Sequence, residues 1–261
     1  MSAWHTVHGI VARDLVRAGR QTSRLLGGVA RPFMWLLLVG TGYNAIARVE
    51  SGMPYQAYVF PGILVMAALF GGSLTAVSTV YDREFGMLRL MLASPAGVPA
   101  VLAGRAVAAT LVGTLQGGIV LAFAPLVIRV TAGSWLAALG SLVAVSAMSG
   151  VLGLLLAARL RSVENFAGII NVLLFPLLFL SGALYPTDGM PAGLRTLARL
   201  NPVSYAVDLM RYALGQPAEA TAPVAAGAVL GVTALAFLIA ALLFDPEQRF
   251  FPTRPRSPDA D

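Results

Sequence analysis

An all-α, polytopic membrane protein with six transmembrane helices is the fold class this sequence predicts, and three observations predict it. Of 261 residues, 57% are hydrophobic and only 11% are charged, with a mean hydropathy of +0.78; soluble domains are nearer a quarter charged. Six apolar stretches approach or exceed the length that crosses roughly 30 Å of hydrocarbon at about 1.5 Å per residue. They lie near 32–47, 58–80, 106–128, 135–158, 166–184 and 222–244, and none contains Asp, Glu, Arg or His. Finally, with the N-terminus inside, the inner flanks hold thirteen arginines and the outer flanks five. That asymmetry puts both termini in the cytoplasm.

Residues 1–30 precede the first span and are too basic and too long for a signal peptide. As a helix they place Trp4, Val7, Val11 and Leu15 on one face and Arg13, Arg17, Arg20 and Arg24 on the other. This is the pattern of an interfacial helix in the headgroup layer; topogenic charge beside the first span is the simpler alternative. The first span is short, so Leu25–Ala30 extends it, with Arg31 snorkelling at its edge. Between spans two and three, "YDREFGMLRLMLASPAG" puts four charges within eight positions, then Pro and Gly. At 100° per residue Phe85, Leu88, Met91 and Leu92 share an arc, opposite Arg83, Gly86 and Arg89. Asp82 can cap the start, and Pro95 ends the helix near Ser94. A short helix parallel to the membrane results within 82–98; a capped helix end plus a connector is the plainer reading.

Gly113 and Gly117 form a GxxxG in the third span, and Gly227 and Gly231 another in the sixth; both predict close helix contacts within the subunit. The outer segment 185–221 carries three arginines, too many for a plain outer loop, and residues 245–261 form an inner tail. The whole chain reads as one transmembrane domain.

Absent chemistry narrows the class. All 18 basic residues are Arg and none is Lys, so the chain cannot contain a P-loop, whose Lys reaches the outer phosphates. With no cysteine, disulfides and thiolate chemistry are excluded. The histidines, His5 and His8, lie near the N-terminus and face headgroups or solvent. No Ser–His pair can form at mid-depth, no zinc cluster exists, and no Asp cluster holds Mg²⁺. Scattered arginines also argue against nucleic acid. An ion-coupled transporter normally carries an ionisable group within its spans. The most polar span residues here are Asn44, Gln116 and Asn171, although a sodium site of carbonyls and hydroxyls stays open.

"REFGMLRLMLASP" resembles the cytoplasmic coupling segment of ABC-2 type transporter permeases, roughly E-x-G-T-L-x-x-L-L-x-x-P. Glu84, Gly86, Leu88, Met91, Leu92 and Pro95 fit, and Met87 replaces the usual Thr. "FPLLFLSGALYPTDGMPAGLRTLARLNPVSYAVDLMRYAL" is similar to that family's C-terminal signature, with Pro176, Ser181, Gly182, Pro186, Pro191, Asn201, Pro202, Tyr205 and Arg211 at corresponding places. "AYVFPGILVMAALFGG" is similar to the second span of the daunorubicin-resistance permease subgroup.

The resemblance implies a subunit without enzymatic activity in an ATP-driven exporter of a hydrophobic or amphipathic substrate: a drug-like molecule, lipid or lipid-linked saccharide. It implies a bacterial plasma-membrane location, a second permease subunit (identical or not) and two copies of a separate ATPase that binds the ATP and Mg. No cofactor is expected in this chain. Arg83, Glu84, Gly86, Leu88, Arg89, Met91, Leu92 and Pro95 would form the ATPase-coupling lever. Segment 185–221 would be a re-entrant helical hairpin, exposing polar ends to water. Phe70, Ser73 and Thr75 of span two and Asn171, Phe175 and Phe179 of span five would line the export path, with ordinary packing the alternative for the aromatics. Asn171 wants a partner, either another helix or a substrate. A stand-alone secondary transporter or channel, and a membrane scaffold, are the competing classes; a neighbouring reading frame with a P-loop would separate them.

Overall fold

The computed structural model describes residues 3–44, 53–92, 97–160 and 162–244, and every regular element among them is helical. Helix α1 (Ala3–Arg20) ends at Gln21, where α2 (Thr22–Met34) begins; a π-helical stretch, Trp35–Gly40, and α3 (Thr41–Asn44) continue it without a break. Pro32 lies inside α2. It lacks the N–H for an i→i−4 bond, and the wider π turns follow three residues later. Residues 1–30 are therefore not one interfacial helix: the second half belongs to the run that enters the bundle.

Helix α4 (Tyr55–Glu84) is the axis of the fold. Its apolar window is entirely covered by the rest of the chain, mainly by α6 (Gly97–Leu121) and α7 (Ala132–Ala157), with α2, α8 (Val163–Phe179) and α10 (Pro202–Ala213) completing the sheath. Small residues set how closely these helices approach. A Cβ added to Gly71 would lie 2.7 Å from Gly113 Cα, and one on Gly113 would lie 2.8 Å from Ser146 Oγ. The third-span GxxxG is thus an internal contact, as expected. Gly227 and Gly231, on α11 (Ala222–Leu243), meet nothing within 4 Å, so the sixth-span motif makes no such contact in this subunit.

Among the described residues four helices (α4, the run Gly97–Leu126, α7 and α11) are long and apolar enough to cross a membrane, and α8 is a shorter apolar helix of 17 residues. The chain is a multi-pass membrane protein. The third span starts nine residues earlier than expected from hydropathy and includes Arg105, which is completely buried. Short α5 (Met87–Leu92) links α4 to α6, and α9 (Ala192–Leu200) precedes α10. Pro95, Arg48, Arg161 and the tail 245–261 lie outside the described residues.

Candidate functional site

At the α1 end of the bundle the last turns of α4 meet α1 and α6 in a buried ion cluster. Asp82 Oδ2 accepts from Arg13 Nη2 at 2.8 Å and from Arg105 Nη2, while its Oδ1 accepts from Arg17 Nη1 at 3.2 Å. Asp14 Oδ1 accepts from Arg13 Nη2 at 2.9 Å, and its Oδ2 from Arg105 Nη1 at 3.4 Å. Arg105 Nη1 also donates to Ser78 Oγ at 3.0 Å, and Met91 Sδ lies 3.5 Å from both Arg13 and Arg105. Three guanidiniums face two carboxylates, leaving one net positive charge. Such a cluster is held in a water-poor site only because each charge has a partner. Asp82 therefore does not cap a helix; it anchors α1. Ile10 and Asp14 turn inward and Arg13 and Arg17 pair with Asp82, while Trp4 and Leu15 stay exposed. The arginine face is thus partly a protein contact, and the apolar face remains open to a membrane surface.

The next two residues brace α7 and α8. Arg83 Nη1 donates to the carbonyls of Ala157 (2.9 Å) and Ala158 (2.7 Å) at the end of α7. Glu84 Oε2 accepts from the N–H of Val163, 3.4 Å away, at the start of α8. A cation at a helix C-terminus and an anion at an N-terminus both complement the helix dipole. Gly86, at φ +76°, then breaks the chain away from α4, so residues 82–95 do not form one helix. The break also reverses the expected faces. Leu88 is 4% exposed and packs with Leu102, Ala158 and Phe244, whereas Phe85 is 62% and Met87 48% exposed. An apolar edge is offered by Phe85 and Met87 beside Tyr81, whose ring lies 4.4 Å from that of Phe85. Arg89 and Leu92 lie on α5 by backbone position.

Midway along α4, the residues expected to line a path divide into two groups. Ser73 and Thr75 are buried; Ser73 Oγ donates to Leu69 O, which also accepts from Ser149 Oγ of α7, each at 2.7 Å. Phe70 instead reaches the seam between α2 and α8. The Arg31 guanidinium lies 4.2 Å over its ring, and Phe175 approaches it at 6.1 Å. Phe179 meets Trp35 at 6.1 Å. Asn171 is exposed, with its Nδ2 turned back to Ala167 O at 2.9 Å. Arg31 does not lie beside the end of α4; half-buried, it stands over Phe70, midway along that helix. Gln116, also missed by the sequence reading as a contact point, is buried against Gly28 and Gly71, and neither end of its amide has a hydrogen-bond partner.

At the opposite end, most residues of the C-terminal signature build a cap. Gly182, at φ +75°, presents its carbonyl to Tyr58 Oη (3.0 Å) and Arg211 Nη2 (2.7 Å). Ser181 Oγ donates to Leu178 O at 2.7 Å. Asn201 caps α10 through the N–H of Val203 (3.0 Å), and its Nδ2 holds Leu177 O (2.6 Å). Pro202 takes the first helical position, where no N–H is needed, and Pro191 sits just before α9. Pro186 precedes a single 3₁₀ turn, and Tyr205 Oη donates to Arg199 O at 2.8 Å. Asp208 accepts from the N–H groups of Glu219 (3.1 Å) and Ala220 (3.0 Å), and burial raises its carboxyl above the usual range against those two bonds. A cleft of about 300 Å³ opens among Thr187, Arg199, Tyr205, Asp208 and Glu219.

Residues 6–214 match the family model described as ABC-2 type transporter. The chain is 28% identical to ycf38 of Cyanophora paradoxa, whose name describes a transport permease, over 78% of this chain and 72% of that protein. It is 29% identical to nodulation protein J of Rhizobium leguminosarum bv. viciae, over 74% of this chain and 76% of that one. It is 30% identical to YbhR of Escherichia coli K12, whose name describes a multidrug ABC transporter permease, over 72% of this chain and half of that protein.

Proposed function

The chain belongs to the ABC-2 type transporter family, and from that premise we propose that it is the transmembrane permease subunit of an ATP-driven exporter. Its cargo is a hydrophobic or amphipathic molecule, and the energy comes from a separate ATPase subunit, present twice, that holds the ATP and Mg. A second permease subunit completes the path. The α1 and α5 end of the bundle faces the cytoplasm of a bacterium, and six segments cross the inner membrane, with the run 22–44 as the first. Segment 185–221 is an external hairpin.

The observation that carries this reading is the elbow after α4. Exposed Phe85 and Met87 sit on a short segment whose other side is fastened inward, through Leu88 to α6 and the α7 end and through Met91 to the Arg13–Arg105 pair. A push on the outer side of such an elbow is delivered to four helices at once.

The test is copurification with an ATPase encoded beside this chain. Met87→Asp and Phe85→Asp should leave the permease folded and weaken capture of the ATPase and substrate-stimulated turnover by tenfold or more, on the order of the cost of burying an unpaired charge. Leu88→Asp should instead lower the amount of folded permease, since its side chain points into the subunit's own core. Full export by Met87→Asp and Phe85→Asp would remove the elbow from the coupling route.

A further inference from the structure

We infer that Arg31 is the head-group receptor of an export groove between α2 and α8, and that the cargo is therefore an anionic amphiphile carrying a phosphate or carboxylate. The inference rests on the transport reading above and narrows its substrate class.

Depth is the first support. Phe70, the ring beneath the Arg31 guanidinium, lies twelve residues from Asp82 and fifteen from Tyr55 along one continuous helix. At 1.5 Å per residue those are about 18 Å and 22 Å, so the charge is near mid-membrane. An ionisable group at that depth is expensive and is ordinarily paired or functional.

Among the described residues Arg31 has no ion-pair partner. The ion pairs among the described residues join Arg13, Arg17 and Arg105 to Asp14 and Asp82, and Arg31 makes neither an ion pair nor a hydrogen bond there. Its one strong neighbour is the Phe70 ring. Stacking stabilises the cation through the ring face but leaves the planar fork of N–H donors free. A fork of that kind matches the two oxygens of a carboxylate or phosphate.

The surroundings supply the place for an apolar body. Arg31 and Trp35 are one turn apart on the α2 run, and Asn171, Phe175 and Phe179 are successive turns of one stripe on α8. Phe70 is packed between the stripes, with Phe175 beside it and the Trp35–Phe179 pair further along. Asn171 is exposed on the same stripe, one turn inward from Phe175, where a second polar group of the cargo could be met. A neutral or cationic cargo would leave the guanidinium with only the Phe70 ring to offset the cost of its depth.

The experiment measures binding on the permease alone and export on the assembled complex. Trp4→Phe and Trp135→Phe leave Trp35 as the sole tryptophan, in phosphatidylcholine nanodiscs. Brominated dodecyl phosphate, dodecyl trimethylammonium and dodecyl maltoside, identical in their chains, are then compared as quenchers. The phosphate should bind about tenfold or more tightly than the other two. Arg31→Gln should abolish the preference and Arg31→Lys should keep part of it. Equal binding of the three probes by the protein with Arg31 in place would overturn the inference, with no need for any Arg31 variant to fold; so would a preference that survives Arg31→Gln. Doping the nanodiscs with phosphatidylglycerol separates cargo from bulk lipid: displacement of the phosphate probe in proportion to the added lipid would also overturn it. In proteoliposomes with the ATPase, the phosphate probe should be exported selectively. A charge preference in binding combined with no ATP-dependent movement of any probe would count against the transport reading and leave the receptor site intact.

Discussion

Replacing Arg105 with Met keeps an unbranched apolar stem and removes the guanidinium, and the ion cluster lets the consequence be estimated. Arg105 is completely buried, and Asp14 and Asp82 are about as inaccessible. Without Arg105, Asp14 keeps only Arg13, and Asp82 keeps Arg13 and Arg17. Those two arginines are partly solvated, and Arg13 already serves both carboxylates. Removing one partner from a buried ionic group typically costs about 3–5 kcal/mol, which for a chain of this size is a fall in apparent melting temperature on the order of 10 °C. The effect should be shared with Asp82. In Arg105→Met/Asp82→Asn the carboxylate that lost its buried partner is neutralised too, so the double variant should be more stable than the sum of the single losses by about 1–3 kcal/mol. Arg17→Ala, with one partly exposed pair, should cost no more than about 1 kcal/mol. Thermal unfolding of the purified protein in one detergent reads all four. If Arg105→Met melts within about 2 °C of the parent, or if the single losses simply add, the cluster does not hold α1 to the bundle.

Two further outcomes follow from the geometry. Gly71→Ala should destabilise by about 1–3 kcal/mol, because the new Cβ would meet Gly113 Cα at 2.7 Å and Gln116 Oε1 at 2.8 Å; Gly227→Ala and Gly231→Ala, with open space around them, should be neutral or slightly stabilising unless a second subunit seats on that face, and chemical denaturation with a cross-linking assay distinguishes these cases. Orientation is read with single cysteines, since the chain has none: in intact cells an impermeant reagent should label Thr196→Cys and spare Met87→Cys, and the reverse pattern would invert the proposed topology.

Apolar length was enough to read a helical membrane bundle from the sequence, while 181–211 was legible only as a family resemblance. The structure supplies its turn chemistry: Asn201 caps α10 ahead of Pro202, and Gly182 takes a positive φ. Faces defined by longer-range contacts were not readable. A helical wheel through 82–95 assumes one unbroken helix, and Gly86 breaks it, so Leu88 turns into the core while Phe85 and Met87 turn out. Asp14 and Arg105 are 91 positions apart, a pairing that no local window contains.

The two interior arginines show why depth itself was hidden. A hydropathy window closes at the first charge it meets, so an arginine within a helix is always assigned to its edge, and both Arg31 and Arg105 were placed there. What permits a guanidinium to move inward is a neighbour that replaces water, and the neighbours differ. Arg105 has two carboxylates and a hydroxyl, and its place is explained by structure alone: it ties α6 to α1 and α4. Among the described residues Arg31 has the face of one ring, which offsets part of the cost of its position and satisfies none of its donors. A bundle selected only for stability would gain from an apolar residue there, since exchanging an incompletely compensated charge for hydrocarbon is favourable. The asymmetry between an arginine paired with two carboxylates and one with no ion pair among the described residues is therefore the reason to assign the first to architecture and the second to recognition. Arg31→Leu should accordingly melt at or above the temperature of the parent while export of an anionic probe falls by about tenfold or more. A loss of stability in that variant comparable to that of Arg105→Met would return Arg31 to the framework of the fold.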